Sequence, residues 1–197
     1  MSSKTYDFML DWETLDEHCT GKVLSVAVCY FDVSEMNTFD ELFDRTLNIK
    51  FAINDQPTRT VSKATLKWWS EQSEEAKKVL KPSDEDVLLA DGVDLMNSYF
   101  EEHVGNKKDS FLWARGIHFD FPYYIDVLRT VGRESAINVW NLNCSKIWIR
   151  DMTGDMRGNY RLDGGTPKEF VAHDARSDVC HEIMKIQEIV QKVYSDE

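Results

Sequence analysis

The sequence predicts a mixed α/β fold: an antiparallel meander of three strands, then helices alternating with crossover strands that run parallel to the first, with helices flanking the sheet. Two observations carry this. Up to Phe51, apolar or alternating runs are joined by short polar connections, the pattern of a meander. From Ser110 onward, short apolar runs alternate with helical patterns, which gives parallel strand pairs.

Tyr6 to Leu10 is an apolar run of strand length. Thr14 to Lys22 is a polar turn containing Gly21, and Val23 to Phe31 is a long buried strand. The third strand falls at Asp40 to Phe51, where alternation is imperfect. Ser62 caps a helix carrying Leu66 and Trp69, and Glu74 to Leu80 forms a second short helix. Pro82-Ser83 opens a third helix, with Ser83 as N-cap, Asp86 at N3, and Val87, Leu88, Leu95 and Tyr99 as its apolar face; Gly92 weakens it. Ser110 to Ala114 is a short strand, Phe119 to Val131 a helix, and Val139 and Trp140 belong to a last strand. A Gly- and Arg-containing loop covers 151–169. Ala175 to Val193 is an amphipathic helix with Ile183, Ile186, Val190 and Val193 on one side, and Tyr194 to Glu197 read as a loose tail. A single domain over 1–197, with its core at about 4–194, accommodates all of this.

Composition narrows the function classes. The six Trp and ten Phe argue for a packed core rather than disorder. No apolar stretch has the length of a membrane span, and the N-terminal residues lack the h-region of a signal peptide, so no membrane partner is expected. Cys19, Cys29, Cys144 and Cys180 form no CxxC pair and read as reduced thiols of a cytosolic protein; their spacing does not fit a zinc site. The net charge of −12 argues against a sequence-independent grip on long duplex DNA, which needs many cations on phosphates. A site that holds a few nucleotides through metal ions needs no basic surface.

The first strand ends on Asp11 and Glu13. Alternate strand residues share a face, so the two carboxylates project together and raise each other's pKa. A hard divalent cation such as Mg²⁺ offsets that repulsion. The pair alone is weak, since an acidic chain also contains Asp84 and Asp86, which read as the first turn of a helix.

Two later segments supply partners. In Trp113-Ala-Arg-Gly-Ile-His-Phe-Asp-Phe-Pro122, a strand gives way to a helix at Gly116 and Asp120 lies at the helix mouth. Asp120 is either an N-terminal acid favoured by the helix dipole or a member of a site; of its flanking Phe119 and Phe121, at least one packs in the core. In Val171-Ala-His-Asp-Ala-Arg-Ser-Asp178, one reading has Asp174 as cap and Asp178 on an exposed face. In the other, Asp178 points back toward the helix N-terminus, because helical side chains tilt that way, and shares a pocket with His173.

Asp11-x-Glu13, Asp120 in a Gly-x-x-x-Asp setting and His173-x-x-x-x-Asp178 together resemble the DEDDh group of 3′–5′ exonucleases, in order, spacing and context. Trp68-Trp69 after a Thr-Leu pair, a His-Asp-Ala motif and an acidic chain of this size look most like the bacteriophage DexA-type exodeoxyribonucleases and their exoribonuclease relatives. Arg176-Ser177 departs from the usual pattern without touching the key positions. The resemblance implies a ribonuclease-H-like five-stranded sheet and hydrolysis of phosphodiesters from a 3′ end to give 5′-mononucleotides. It implies two Mg²⁺ ions, with Mn²⁺ able to substitute: Asp11 bridging both, Glu13 and Asp178 completing one shell, Asp120 holding the other, and His173 as general base. It points to Thr14 and Leu15 as contacts to the terminal nucleotide, and Trp68, rather than the core-phased Trp69, as a stacking platform. The expected partner is a nucleic acid 3′ end, DNA ahead of RNA, in the cytoplasm of a bacterial or phage-infected cell. An exoribonuclease on the same scaffold is the alternative. The presence of all five residues argues against a nuclease-like fold kept only for binding.

Overall fold

The computed structural model describes residues 4–194. Beyond Tyr194, the tail expected at the C-terminus lies outside them. The strands are β1 (Asp7–Thr14), β2 (Val23–Phe31), β3 (Leu47–Lys50), β4 (Leu112–Ala114) and β5 (Leu142–Cys144). They form a five-stranded sheet in the order β3-β2-β1-β4-β5. β1 pairs antiparallel with β2 and β2 with β3, while β1–β4 and β4–β5 are parallel. The expected mixed sheet is present, with β1 at its centre.

The period of two along β1 divides the core. Phe8, Leu10 and Trp12 join a cluster with Val93, Met96 and Phe100 of α3 (Leu89–His103) and with Phe121 and Val127 of α4 (Ile117–Val131). Phe8 meets Phe100 edge-on at 4.9 Å between ring centroids, and Trp12 stacks on Phe51 at 6.1 Å. Met9 faces the other way, into a cluster with Val179, Ile183 and Ile186 of α6 (Ala175–Tyr194) and with Phe39 and Leu42 of α1 (Phe39–Arg45). Ile183 and Ile186 are fully buried, each worth roughly 1.5–3 kcal/mol of apolar burial. Asp11 and Glu13 share the parity of Met9, so the alternation that builds the core also aims both carboxylates at the α6 side.

Several elements differ from expectation. The segment Asp40 to Phe51 is not one strand but α1 followed by β3. Thr38 and Glu41 form a reciprocal capping box that starts the helix, which is why the alternation there is imperfect. α2 (Lys63–Ser70) starts at the Ser62 cap and buries Trp69, but Leu66 is exposed. The Ser83 N–H and hydroxyl both donate to the Asp86 carboxylate, yet they close a turn, because Val87 is drawn into a bridge with Phe51 and α3 starts only at Leu89. The inward face of α3 is therefore Leu89, Val93, Met96 and Phe100, and Leu88 and Leu95 point outward. Gly92 is required rather than weakening: a Cβ there would lie 2.3 Å from Phe51 Cε1. Val139 and Trp140 are not in a strand; Trp140 is 89% exposed, and the strand forms at Leu142–Cys144. The start of the expected 151–169 loop belongs to α5 (Ser145–Thr153). Val193 is exposed at the end of α6. The four cysteines are free, and no helix among the described residues is long and apolar enough to cross a membrane.

Candidate active site

Three elements converge at the end of β1. In the β1–β2 register Asp11 lies opposite Ala27 and Glu13 opposite Ser25, and the ladder becomes irregular between Glu13 and Thr14. The strand end is pinned by the Trp69 indole N–H, which donates to the Thr14 carbonyl at 2.8 Å. β4 leads through Arg115 to Gly116, the N-cap of α4, and places Asp120 in the first turn. The Asp120 carboxylate accepts from the Trp12 N–H at 3.2 Å and from the Gly116 N–H at 3.4 Å, which ties β1 to α4.

The third segment keeps the Asp174 cap of one reading and the inward-turned Asp178 of the other; Asp178 is not on an exposed face. Asp174 caps α6, accepting from the Ser177 N–H at 2.9 Å, and Asp178 turns back to accept the His173 N–H at 2.8 Å. His173 has φ of +63°, a left-handed conformation that non-glycine residues rarely adopt. Glu13, His173 and Asp178 present ligand atoms within 4.8 Å of one another. The unusual Arg176 faces away from them: its guanidinium lies over the Phe43 ring at 3.7 Å and donates to the Phe43 carbonyl, fixing α6 to α1. The other acidic pair read from the sequence is not a site, since Asp86 pairs with Lys50 at 2.8 Å.

Electrostatics set this cluster apart. Burial, then the charges of Asp120, Glu13 and Asp178, push Asp11 well above the usual carboxylate range. Glu13 is raised by burial and by Asp178 and Asp174. Burial lifts Asp120 to about 7 against its backbone hydrogen bonds, and lifts Asp178 to about 7 against the His173 N–H. Burial lowers His173, keeping the imidazole neutral to lower pH. Four carboxyls held together with too little compensation are poised to receive cations through hard oxygen donors.

The cleft over this cluster has a volume of about 320 Å³ and includes Thr14, Thr65, Trp68 and Phe119 in its walls. Trp68 is 39% exposed and meets the His173 ring edge-on at 4.6 Å. Phe121 is in the core and Phe119 in the cleft, as their flanking of Asp120 allowed. Leu15 is a correction: it packs with Leu24, Trp69 and Ala76 beneath the cleft, because the chain turns after Thr14. Thr65 was missed from the sequence. It stands three residues before Trp68 on the same face of α2, and among the described residues its hydroxyl is buried without a partner.

The chain is similar to known proteins over most of its length. Residues 6–190 match the Rv2179c-like 3′–5′ exoribonuclease domain. The chain belongs to this family. An exodeoxyribonuclease of Enterobacteria phage T4 is 34% identical over 204 residues, covering 92% of this chain and 88% of the phage protein. This family member is thus a 3′–5′ exonuclease, a hydrolase of nucleic acid. Its fold is that of E. coli exonuclease I, with a TM-score of 0.65 to the zinc-bound single-stranded DNA complex at 12% identity. A product-bound exonuclease I gives 0.61 at 10% identity. The chain spans 42% and 44% of those two proteins, so the likeness concerns the ribonuclease-H-like fold.

Proposed function

We propose that the protein, acting as one exonuclease domain over its 197 residues, removes 5′-mononucleotides from the 3′ end of single-stranded or short DNA, with two divalent cations held by Asp11, Glu13, Asp120 and Asp178. The observation that carries this is the cluster of four carboxyls, all with raised pKa, beside a neutral histidine. The donor set fits Mg²⁺, with Mn²⁺ as a substitute: all oxygen, and more negative charge than the fold neutralises. Bound there, divalent cations supply charge neutralisation and Lewis acidity at the phosphodiester. In this reading Asp11 would serve both ions, Glu13 and Asp178 one, and Asp120 the other.

His173 takes the proton of the attacking water at its imidazole, for which its neutrality near pH 7 suits it. The Asp178 carboxylate holds the His173 peptide in place. Trp68 and Phe119 offer rings to the terminal base, and Thr14 and the free Thr65 hydroxyl offer polar contacts to its sugar. The phage relative supports DNA and a phage-infected or bacterial cytoplasm as the setting. RNA is the second reading, favoured by the description of the family whose domain matches residues 6–190.

The test is Mg²⁺-dependent release of mononucleotides from matched DNA and RNA oligonucleotides, single- and double-stranded, by wild type and Asp11→Ala. DNA cleavage that is abolished in the variant is the expected result. Full activity in Asp11→Ala would overturn the site, and a preference for RNA would replace the first reading by the second.

A further inference from the structure

A second recess of about 390 Å³ adjoins the cleft and shares Asp11, His173 and Asp178 with it. Its remaining wall includes Arg115, Phe170, Glu182 and Lys185, none of which lines the cleft. In a chain of net charge −12, two cations gathered beside the carboxylate cluster call for an explanation. Glu182 organises them. It accepts from Arg115 Nη1 at 2.8 and 3.0 Å, from Lys185 Nζ at 3.0 Å and from Ser145 Oγ at 2.5 Å. Burial opposes charge on Glu182, but Lys185 and Arg115 outweigh it and hold the carboxyl below its ordinary value.

Within this network one carboxylate, Glu182, faces two cations, while the other carboxyls of the recess wall, Asp11 and Asp178, are those the proposed function assigns to divalent cations. The Lys185 ammonium is buried and has three donors, of which one meets Glu182; among the described residues no other acceptor is recorded for it. A buried ammonium with donors to spare is costly unless an acceptor arrives. An anion in the recess would take those donors, together with the partly exposed Arg115 guanidinium.

We propose that this recess is the subsite for the nucleotide next to the one being removed, with Arg115 and Lys185 binding the phosphate on its 5′ side. The proposal rests on the reading of the cleft as the exonuclease site. With the scissile phosphate at the shared carboxylates and the terminal nucleoside in the cleft, the upstream nucleotide, whose 3′-oxygen is the leaving group, extends into the adjoining recess. The two cations then act one linkage away from the reacting bond. They position the strand and take no part in bond breaking.

Three substrates separate this from a purely structural role for the network. The p-nitrophenyl ester of thymidine 5′-monophosphate carries a terminal nucleoside and a cleavable phosphodiester but no upstream nucleotide. A short DNA oligonucleotide carries both, and its counterpart with a neutral methylphosphonate beside the scissile linkage lacks only the upstream charge. In wild type the methylphosphonate should raise KM about tenfold or more, the scale of a lost charge-assisted hydrogen bond, and should have little effect one linkage further on. Arg115→Ala should lower the ratio of kcat/KM for oligonucleotide over ester by a similar factor, and should no longer distinguish methylphosphonate from phosphate. Equal loss on ester and oligonucleotide, or a wild type indifferent to the methylphosphonate, would overturn the subsite while leaving the exonuclease reading intact. A wild type inert on ester and oligonucleotide alike would overturn both. The wild-type arm stands even if Arg115→Ala fails to fold.

Discussion

Asp120→Asn should make the metal-free protein more stable at pH 8 and less stable at pH 4. Asp120 is buried, and its carboxyl titrates at about 7 against an ordinary 3.8. A raised carboxyl pKa means that the folded state holds its proton longer than the unfolded chain does. The associated stability is therefore present below pH 4 and is lost as pH rises through 7. At about 1.4 kcal/mol for each pH unit between the two values, ionising Asp120 inside the fold costs about 4 kcal/mol by pH 8. Asparagine never ionises, but it keeps one acceptor oxygen where the carboxylate offers two. One of the N–H partners at 3.2 and 3.4 Å is then left unmatched, at about 1–2 kcal/mol. The net is a gain of about 2–3 kcal/mol at pH 8, or about 5–10 °C in Tm for a chain of this size, and a loss of about 1–2 kcal/mol at pH 4. Removing this charge also relieves Asp11 and Glu13, in the same direction. Thermal melts by circular dichroism in chelator at the two pH values measure the difference. A variant with the same Tm shift at both, or destabilised at pH 8, would refute the account of the cluster as electrostatically loaded. Saturating Mg²⁺ should reverse the order at pH 8, because it stabilises the wild type more.

Four further outcomes are expected. His173→Asn, a residue that tolerates positive φ, should fold normally, retain Mg²⁺ binding by calorimetry and lose about 10²- to 10⁴-fold in kcat. Because burial lowers the pKa of His173, the acid limb of the wild-type rate profile should fall below pH 6.5; a limb at higher pH would assign the base elsewhere. Trp68→Ala should raise KM for oligonucleotides by about 5- to 150-fold, the worth of one stacked base, and a pure kcat loss would instead make Trp68 a support for the His173 ring. Binding should weaken only shallowly with salt and degradation should be distributive, since the surface is acidic; a steep salt dependence by fluorescence anisotropy would contradict this.

The parts of the site that were legible in the sequence are those written in backbone periodicity. Asp11 and Glu13 share a face because strands alternate, and Asp178 reaches His173 because helical side chains tilt toward the N-terminus. The chain-order pattern then joined them to Asp120. What was not legible depended on competition between local and tertiary terms. Thr38 and Glu41 turned half of a strand-like run into α1. The bridge between Phe51 and Val87 delayed α3 past its apparent cap and rotated the face it buries. Leu15 looked available by its place in the chain and was taken by the core. Arg115, just after β4, meets Glu182 and Lys185 of α6 only because β4 pairs parallel with β1 under α6, and no local spacing announces them.

The hydrogen bond from the His173 N–H to Asp178 closes a ring through the four residues between them. That ring, rather than the chemistry of either side chain, fixes their separation in the sequence. Substitutions at Ala175 or Arg176 leave the loop length intact, but an inserted or deleted residue breaks the ring whatever its identity. Within this family, length in that short stretch should be held more tightly than composition. A variant that reopens it would separate proton transfer from ion holding in a way that no point change at either terminus can.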